Sequence, residues 1–358
     1  MKKLILIILS ASTIHSFAQN ESPASPLTVS GYLETYYAYD LANPDDHNRP
    51  GFIYSFNRHN EINLNLGFIK AAYATERVRA NLALMGGTYA NANLAAEPGV
   101  LKNIFEANAG VKLSSDKNLW LDAGTFASHI GFESAIGKDC WNLTRSILAE
   151  NSPYYESGVK LSYTSANEKW FISGLILNGW QRMQRVPGNN TPAFGHQITF
   201  KPSSTVTLNS SSFIGSDTPD SERQMRYFHN FYGQFQLSNQ VGLILGFDIG
   251  AQQTAKGSSD YNTWYSPVAI VKYMPTSKMS IAVRGEYYAD PNGVIINTGT
   301  ENGFQTIGYS INLDRQIMSN AVWRVEARGF TSKDNIFILD NQSDKQNFAI
   351  TTALAISF

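Results

Sequence analysis

The segment Phe348-Ala-Ile-Thr-Thr-Ala-Leu-Ala-Ile-Ser-Phe358 divides cleanly into two faces. Phe348, Ile350, Thr352, Leu354, Ile356 and Phe358 form one; Ala349, Thr351, Ala353, Ala355 and Ser357 form the other. A period of two means a β-strand, here with one oily face and one small, polar face. Val241, Leu243, Leu245, Phe247 and Ile249 repeat the rule, opposed by Gly242, Gly246, Asp248 and Gly250. Ile62, Leu64, Leu66 and Phe68 do likewise, opposed by Glu61, Asn63, Asn65 and Gly67.

Working outward, such segments are joined by connections that are alternately short and long. Short turns are expected at Thr75–Arg77, Ser114–Asn118, Ser165–Lys169, Pro202–Ser204, Ser238–Gln240, Pro275–Lys278 and Asp314–Asn320. Longer loops fall near 41–54, 90–102, 127–152, 181–192, 216–225, 253–260, 290–303 and 331–344. The pattern predicts an all-β fold, a single closed transmembrane antiparallel β-barrel of about sixteen strands, with short periplasmic turns and long extracellular loops. A sandwich or propeller would have short loops on both sides and would bury its oily face against a second sheet. Aromatic pairs near strand ends (Tyr36, Tyr37 and Tyr39; Tyr154 and Tyr155; Tyr227 and Phe228; Tyr287 and Tyr288) read as interfacial girdles.

Composition agrees. Of 358 residues, 43% are apolar, 12% aromatic and only 16% charged, which excludes a disordered chain. One cysteine, Cys140, excludes a disulfide scaffold, and a net charge of −1 is unlike that of a nucleic-acid binder. Lys2 and Lys3 followed by the apolar run Leu4–Leu9, with Ser16-Phe17-Ala18 at its end, predict a signal peptide over 1–18 cleaved after Ala18. A short tail at 19–26 then leads into a barrel at 27–358, placed in a bacterial outer membrane. That tail is too short to plug a barrel, which argues against a hatch-gated transporter of apolar compounds.

Once the oily face fixes parity, charges can be assigned a side. Arg79, Glu106, Lys112, Asp122, Lys160 and Asp248 point inward, as do Arg284 and Glu286 on one strand and Arg324, Glu326 and Arg328 on another. An Arg or Lys facing lipid near mid-membrane costs about 2–4 kcal/mol. A sixteen-stranded barrel is wide enough for an aqueous channel, so these side chains are expected to line water and to influence ion preference. The 127–152 loop carries Glu133, Lys138, Asp139, Arg145 and Glu150 together with Ile130, Phe132, Ile136, Ile147 and Leu148. It is too apolar for a free surface loop and is expected to enter the lumen and narrow it.

The same region, Ala123-Gly-Thr-Phe-Ala-Ser-His-Ile-Gly-Phe-Glu-Ser-Ala135 followed by Asn142-Leu-Thr-Arg-Ser-Ile-Leu-Ala-Glu-Asn-Ser-Pro-Tyr-Tyr-Glu-Ser-Gly158, resembles the OmpL-like β-barrel porins of Bacteroidetes-type envelopes. The resemblance implies an outer-membrane porin without enzymatic activity. Phe358, with Ile350, Leu354 and Ile356 on its face, resembles the closing-strand signal of bacterial outer-membrane barrels.

Enzyme chemistry finds no constellation in the sequence. No zinc-ligand spacing links His47, His59, His129, His196 and His229, and nothing in the order of residues sets a nucleophile beside His196 or His229. No cofactor or metal is expected. The expected partners are outer-membrane lipid and small hydrophilic solutes or ions, not nucleic acid; a homotrimer is expected by analogy with barrels of this size. The expected function is a passive diffusion channel; the rivals are an adhesive or structural barrel and a transporter of apolar compounds. Inward charges of both signs leave the cation or anion preference open.

Overall fold

Strict alternation along a strand gives one face to lipid and one to the barrel interior, and a sheet so patterned is stable in a bilayer only if closed, because no edge can be left unpaired there. The computed structural model, which describes residues 25–339 and 342–358, shows this closure. The leader expected over 1–18 and most of the tail lie outside the described residues.

The strands are β1 (Leu27–Asp40), β2 (Ile62–Ala74), β3 (Val78–Gly86), β4 (Ile104–Lys112), β5 (Asn118–Ala127) and β6 (Tyr155–Thr164). β7 (Trp170–Leu177), β8 (Ala193–Ser203), β9 (Val206–Gly215), β10 (Arg226–Gln236), β11 (Val241–Gln253) and β12 (Tyr261–Thr276) continue the wall. β13 (Met279–Asp290), β14 (Phe304–Met318), β15 (Ala321–Ser332) and β18 (Gln346–Ser357) complete it; β16 (Phe337–Leu339) and β17 (Gln342–Asp344) form a separate hairpin in the last long loop. Sixteen strands pair antiparallel with their neighbours, and β18 pairs back onto β1, with Tyr32 opposite Ser357 and Asp40 opposite Ala349.

The expected turns hold in place, but β8 runs on to Ser203 and β12 to Thr276, into the turns expected at Pro202–Ser204 and Pro275–Lys278. The turn expected at Asp314–Asn320 shrinks to residues 319–320, because β14 and β15 pair down to Met318 and Ala321 through a bulge. On β11 and β18, Leu245, Phe247, Ile249, Ile350 and Leu354 are exposed on the outside, as the alternation requires. Outward Tyr37, Tyr39, Tyr227, Tyr261 and Tyr265 mark the long-loop rim, and Tyr73, Trp170, Tyr273 and Trp323 the short-turn rim.

Two readings need correction. Among the aromatics expected to form girdles, alternation sends Tyr36, Phe228 and Tyr288 inside, and Tyr154 and Tyr155, at the end of the inward loop, are both buried. The oily face read through Ile62, Leu64, Leu66 and Phe68 breaks at a β-bulge. Thr35 pairs with Leu64 but Glu34 with Leu66, so Asn65 is the extra residue and parity flips there. Ile62 is exposed outside, whereas Leu66 is fully buried inside and Lys70 reaches inward Glu106.

Candidate pore and its inward loop

The long connection after β5 runs over residues 128–154 and carries a short 3-10 turn (Gly137–Asp139) and one helical turn, Ile147–Glu150. Ser146 caps that turn, its hydroxyl accepting from the Ala149 amide. The loop descends inside the barrel and bonds to inward side chains of β13, β14 and β15. The Thr144 amide donates to Glu326 Oε2 at 2.6 Å and the Ile147 amide to Glu286 Oε2 at 2.6 Å. Arg284 donates to the Thr144 carbonyl at 2.7 Å and to Glu326 Oε1 at 2.9 Å. Arg328 joins Glu286 Oε1 at 2.6 Å to the Arg145 carbonyl at 2.7 Å. Lower on the wall, Arg324 binds Asp314 Oδ1 at 2.6 Å and the Cys140 carbonyl at 2.9 Å.

These charges therefore do not line water, as the sequence led us to expect. Arg284, Glu286, Arg324, Glu326 and Arg328 all face inward but are at most 5% exposed, because the loop covers them. Each of these five charges has an opposite partner, and loop peptide groups take several of their remaining bonds, which is what makes such burial tolerable.

Rings from the loop seat on glycines of β11, two strands along the wall from β13. A Cβ on Gly242 would come within 2.5 Å of Trp141, and one on Gly246 within 2.7 Å of Phe132. The small face of β11, which reads as a wet wall in the sequence, is a set of seats for aromatic rings. Toward the long-loop rim the interior is dry and aromatic: Phe52, Phe213, Phe228, Trp264, Phe304 and Phe330 pack together.

Of the loop's own charges, Lys138 and Asp139 are exposed and line a cavity of about 680 Å³ at the short-turn end, where Lys138 Nζ donates to Ser357 at 2.8 Å. Arg145 is fully buried and holds the loop to itself through the Ser134, Leu143 and Ala135 carbonyls. Glu133 accepts from the Ser146 amide at 2.9 Å, and burial raises its carboxyl above the usual range. Glu150 accepts from the Tyr54 and Ser55 amides and so fastens the first long loop; burial pushes its carboxyl up to about 7. Cys140 is buried, and burial pushes its thiol up to about 11.

Across the lumen the wall of β2–β6 stays half open. Arg79 Nε donates to Asp122 Oδ1 at 2.7 Å, Lys70 pairs with Glu106, and Lys112 stands directly opposite Trp120 on the same face. Arg79 lies 4.3 Å above the Trp120 ring and Lys160 4.5 Å from that of Phe126. Arg79, Glu106, Asp122 and Lys160 line a cavity of about 300 Å³. Glu106 also borders a middle cavity of about 230 Å³ against Phe132 and Glu133 of the loop. Leu94 and Pro153 of that cavity are chain neighbours of Asn93 and Ser152, which line a third cavity, of about 380 Å³, on the long-loop side.

Sequence reasoning missed Lys70, Lys272 and Asp314. Lys70 carried a usable signal: continued parity would have set a lysine toward lipid, a cost that announces the bulge. It also missed a contact on the outer surface. Ser212 Oγ lies 2.6 Å from His196 Nδ1, and Ser210 Oγ 2.9 Å from His229 Nε2. A hydroxyl does stand beside each imidazole, contrary to expectation. No carboxylate accompanies either pair among the described residues, and the surrounding amides are spent in the β8–β10 ladder, so no nucleophile with an oxyanion site is assembled.

The barrel is similar to solved outer-membrane proteins. It matches a loop L8 deletion mutant of OmpT from Vibrio cholerae at 9% identity, with a TM-score of 0.59, covering 93% of this chain and 99% of that one. It matches an anion-selective porin from Comamonas acidovorans at 7% identity and a TM-score of 0.60, covering 93% and 99%. The outer membrane channel DcaP of Acinetobacter baumannii matches at 8% identity and a TM-score of 0.61, covering 93% and 97%. At such identities these likenesses show the fold. No curated protein matches the chain by sequence. The family described as "Putative beta-barrel porin-2, OmpL-like" matches residues 26–358, essentially all of the described barrel, and the chain belongs to that family of outer-membrane porins.

Proposed function

We propose that the inward loop sets the size limit of a passive channel for small hydrophilic solutes, and that these pass between the loop and the wall of β2–β6. The supporting observation is asymmetry. Buried ion pairs fasten the loop to β13–β15, while a row of cavities follows the opposite wall. On this reading Arg79, Glu106 and Lys112 meet the solute along that wall, and Lys138 and Asp139 meet it at the short-turn mouth; Arg284, Glu286, Arg324, Glu326 and Arg328, with Glu133, Arg145 and Glu150, hold the loop in place. The short-turn rim faces the periplasm, as in other such barrels, and export ends with cleavage after Ala18, which N-terminal sequencing of the mature protein would reveal.

Liposome swelling with sugars of graded size tests the channel. Rates should fall steeply with solute size in wild type and less steeply in a 134–146 deletion and in Trp141→Ala. No swelling with any sugar would favour a structural or adhesive barrel; identical size cut-offs in all three proteins would remove the loop from its role.

The working form is a homotrimer on this reading. One OmpT structure from Vibrio cholerae is of a trimer form. Here the outward face of β8–β10 carries His196, Ser210, Ser212 and His229 where lipid would meet polar groups, and outward Gly174 beside His196 has open space around its Cβ position. Gly174→Trp should shift the protein from trimer to monomer on native gels, while an unshifted band would place the contact elsewhere.

A further inference from the structure

The charge that lines the short-turn half of the lumen is not balanced, and this points to the kind of solute. Apart from Glu156, fully buried at the long-loop end of β6, the inward charges on β2–β6 are four cations, Lys70, Arg79, Lys112 and Lys160, against two carboxylates, Glu106 and Asp122. Both carboxylates are already taken: Asp122 by Arg79 and Glu106 by Lys70. Lys112 and Lys160 have no ion-pair partner among the described residues.

The cavity of about 680 Å³ across the loop repeats the ratio. Lys138, Lys272, Lys278 and Arg324 line it with only Asp139 and Asp314, and Arg324 takes Asp314. The long-loop side differs: in the cavity of about 380 Å³, Arg182 and Arg226 are matched by Asp217 and Glu150. The surplus is therefore local, and it stands on both flanks of the loop at its short-turn end.

We infer that the channel selects small anions, with Lys112, Lys160 and Lys272 as the residues that set the preference. This rests on the channel reading above. Fixed charge in a narrow pore raises the local concentration of counter-ions, and low-dielectric walls focus that field. Cations already bonded to carboxylates contribute little beyond the pair, so the unpaired lysines carry the effect. Phe126 backs Lys160 and Trp141 lies 5.8 Å from Lys272, and the carboxylates nearest to them, Asp122 and Asp314, are held by Arg79 and Arg324.

The test is planar-bilayer recording of the refolded full chain in a tenfold KCl gradient. The reversal potential should take the sign of chloride, with chloride favoured over potassium by roughly threefold or more, and the ratio should fall as salt rises and screens the lysines. K112E/K160E turns the surplus on that wall into a deficit and should favour potassium; Lys272→Gln should lower the anion preference without reversing it. A conducting wild-type channel with no preference, or with potassium favoured, overturns the anion assignment and leaves the channel reading standing. Anion selectivity unchanged in K112E/K160E overturns the assignment to these lysines. Absence of conductance from protein that shows the heat-dependent gel shift of a folded barrel overturns the channel reading itself.

Discussion

Trp141 sits on Gly242: a β-carbon there would lie 2.5 Å from the indole Cη2. A loop side chain thus rests on the bare backbone of β11, two strands along the wall from β13, to which the loop is bonded. The prediction is that Gly242→Val pushes the loop off its seat. Overpacking of this kind costs about 1–3 kcal/mol, and single-channel conductance should rise with noisier open levels. Gly285→Ala, at an outward position with open space, should change neither conductance nor the denaturation midpoint.

Glu326 accepts from Thr144 and Arg284 in a dry setting. Glu326→Ala leaves a buried guanidinium short of its counter-charge, so a loss of about 3–5 kcal/mol is expected in urea unfolding. Replacing both members, as in R284M/E326L, should recover part of that loss, since the orphaned charge is gone. A double variant as unstable as the sum of the two single ones would show that the pair is not coupled.

The Glu150 carboxyl, held by burial near 7, sits above the ordinary glutamate value. Between the unfolded and the folded value the native state binds the extra proton, so stability falls as pH rises through that window and levels off above about 7. At roughly 1.4 kcal/mol per pKa unit the effect is on the order of a few kcal/mol. Amide exchange at Tyr54 and Ser55, corrected for intrinsic rate, should accelerate from pH 5 to 7.5 in wild type and stay flat in Glu150→Gln.

Deleting Asn65 removes the bulge residue of β2. Leu64 and Leu66 then follow one another opposite Thr35 and Glu34, so Leu66 and Lys70 keep their inward side, but the buried Glu34 carboxylate and the Phe56 amide lose Asn65 as partner, at about 1–3 kcal/mol for each group left unmet. The deletion should refold into lipid vesicles with markedly lower yield than wild type. Asn65→Ala, which keeps the extra residue but loses the same two bonds, should lower the yield to a similar extent.

Most of the wall was legible because alternation is a local property: each strand announces its own two faces, as Leu243–Ile249 and Ile350–Phe358 do. The failures have one physical form, namely that a periodic pattern does not say what lies across the lumen. Gly242, Gly246 and Gly250 read as a wet face, yet each receives a ring: Trp141 and Phe132, which only the inward loop brings there, and Trp264, from directly across the β11–β12 pair. Arg284, Glu326 and Arg328 were given the right side and the wrong solvent, since their cover comes from a loop more than a hundred residues away in the chain. At Asn65 a single extra residue outran the pattern, and only the lysine downstream hinted at it. The Ser212–His196 contact joins separate strands, which no spacing in the sequence encodes.

The seam between β1 and β18 bears on how the polypeptide is made. Tyr32, near the start of the first strand, is paired with Ser357, near the end of the last. No part of synthesis short of the final strand can complete the cylinder, and contacts of such separation are slow to form. A nascent or truncated chain lacking β18 would carry two raw sheet edges, on β1 and β15, ready to pair with any neighbour. Biogenesis of this protein therefore depends on keeping the whole polypeptide apart from its siblings until the last strand has been delivered.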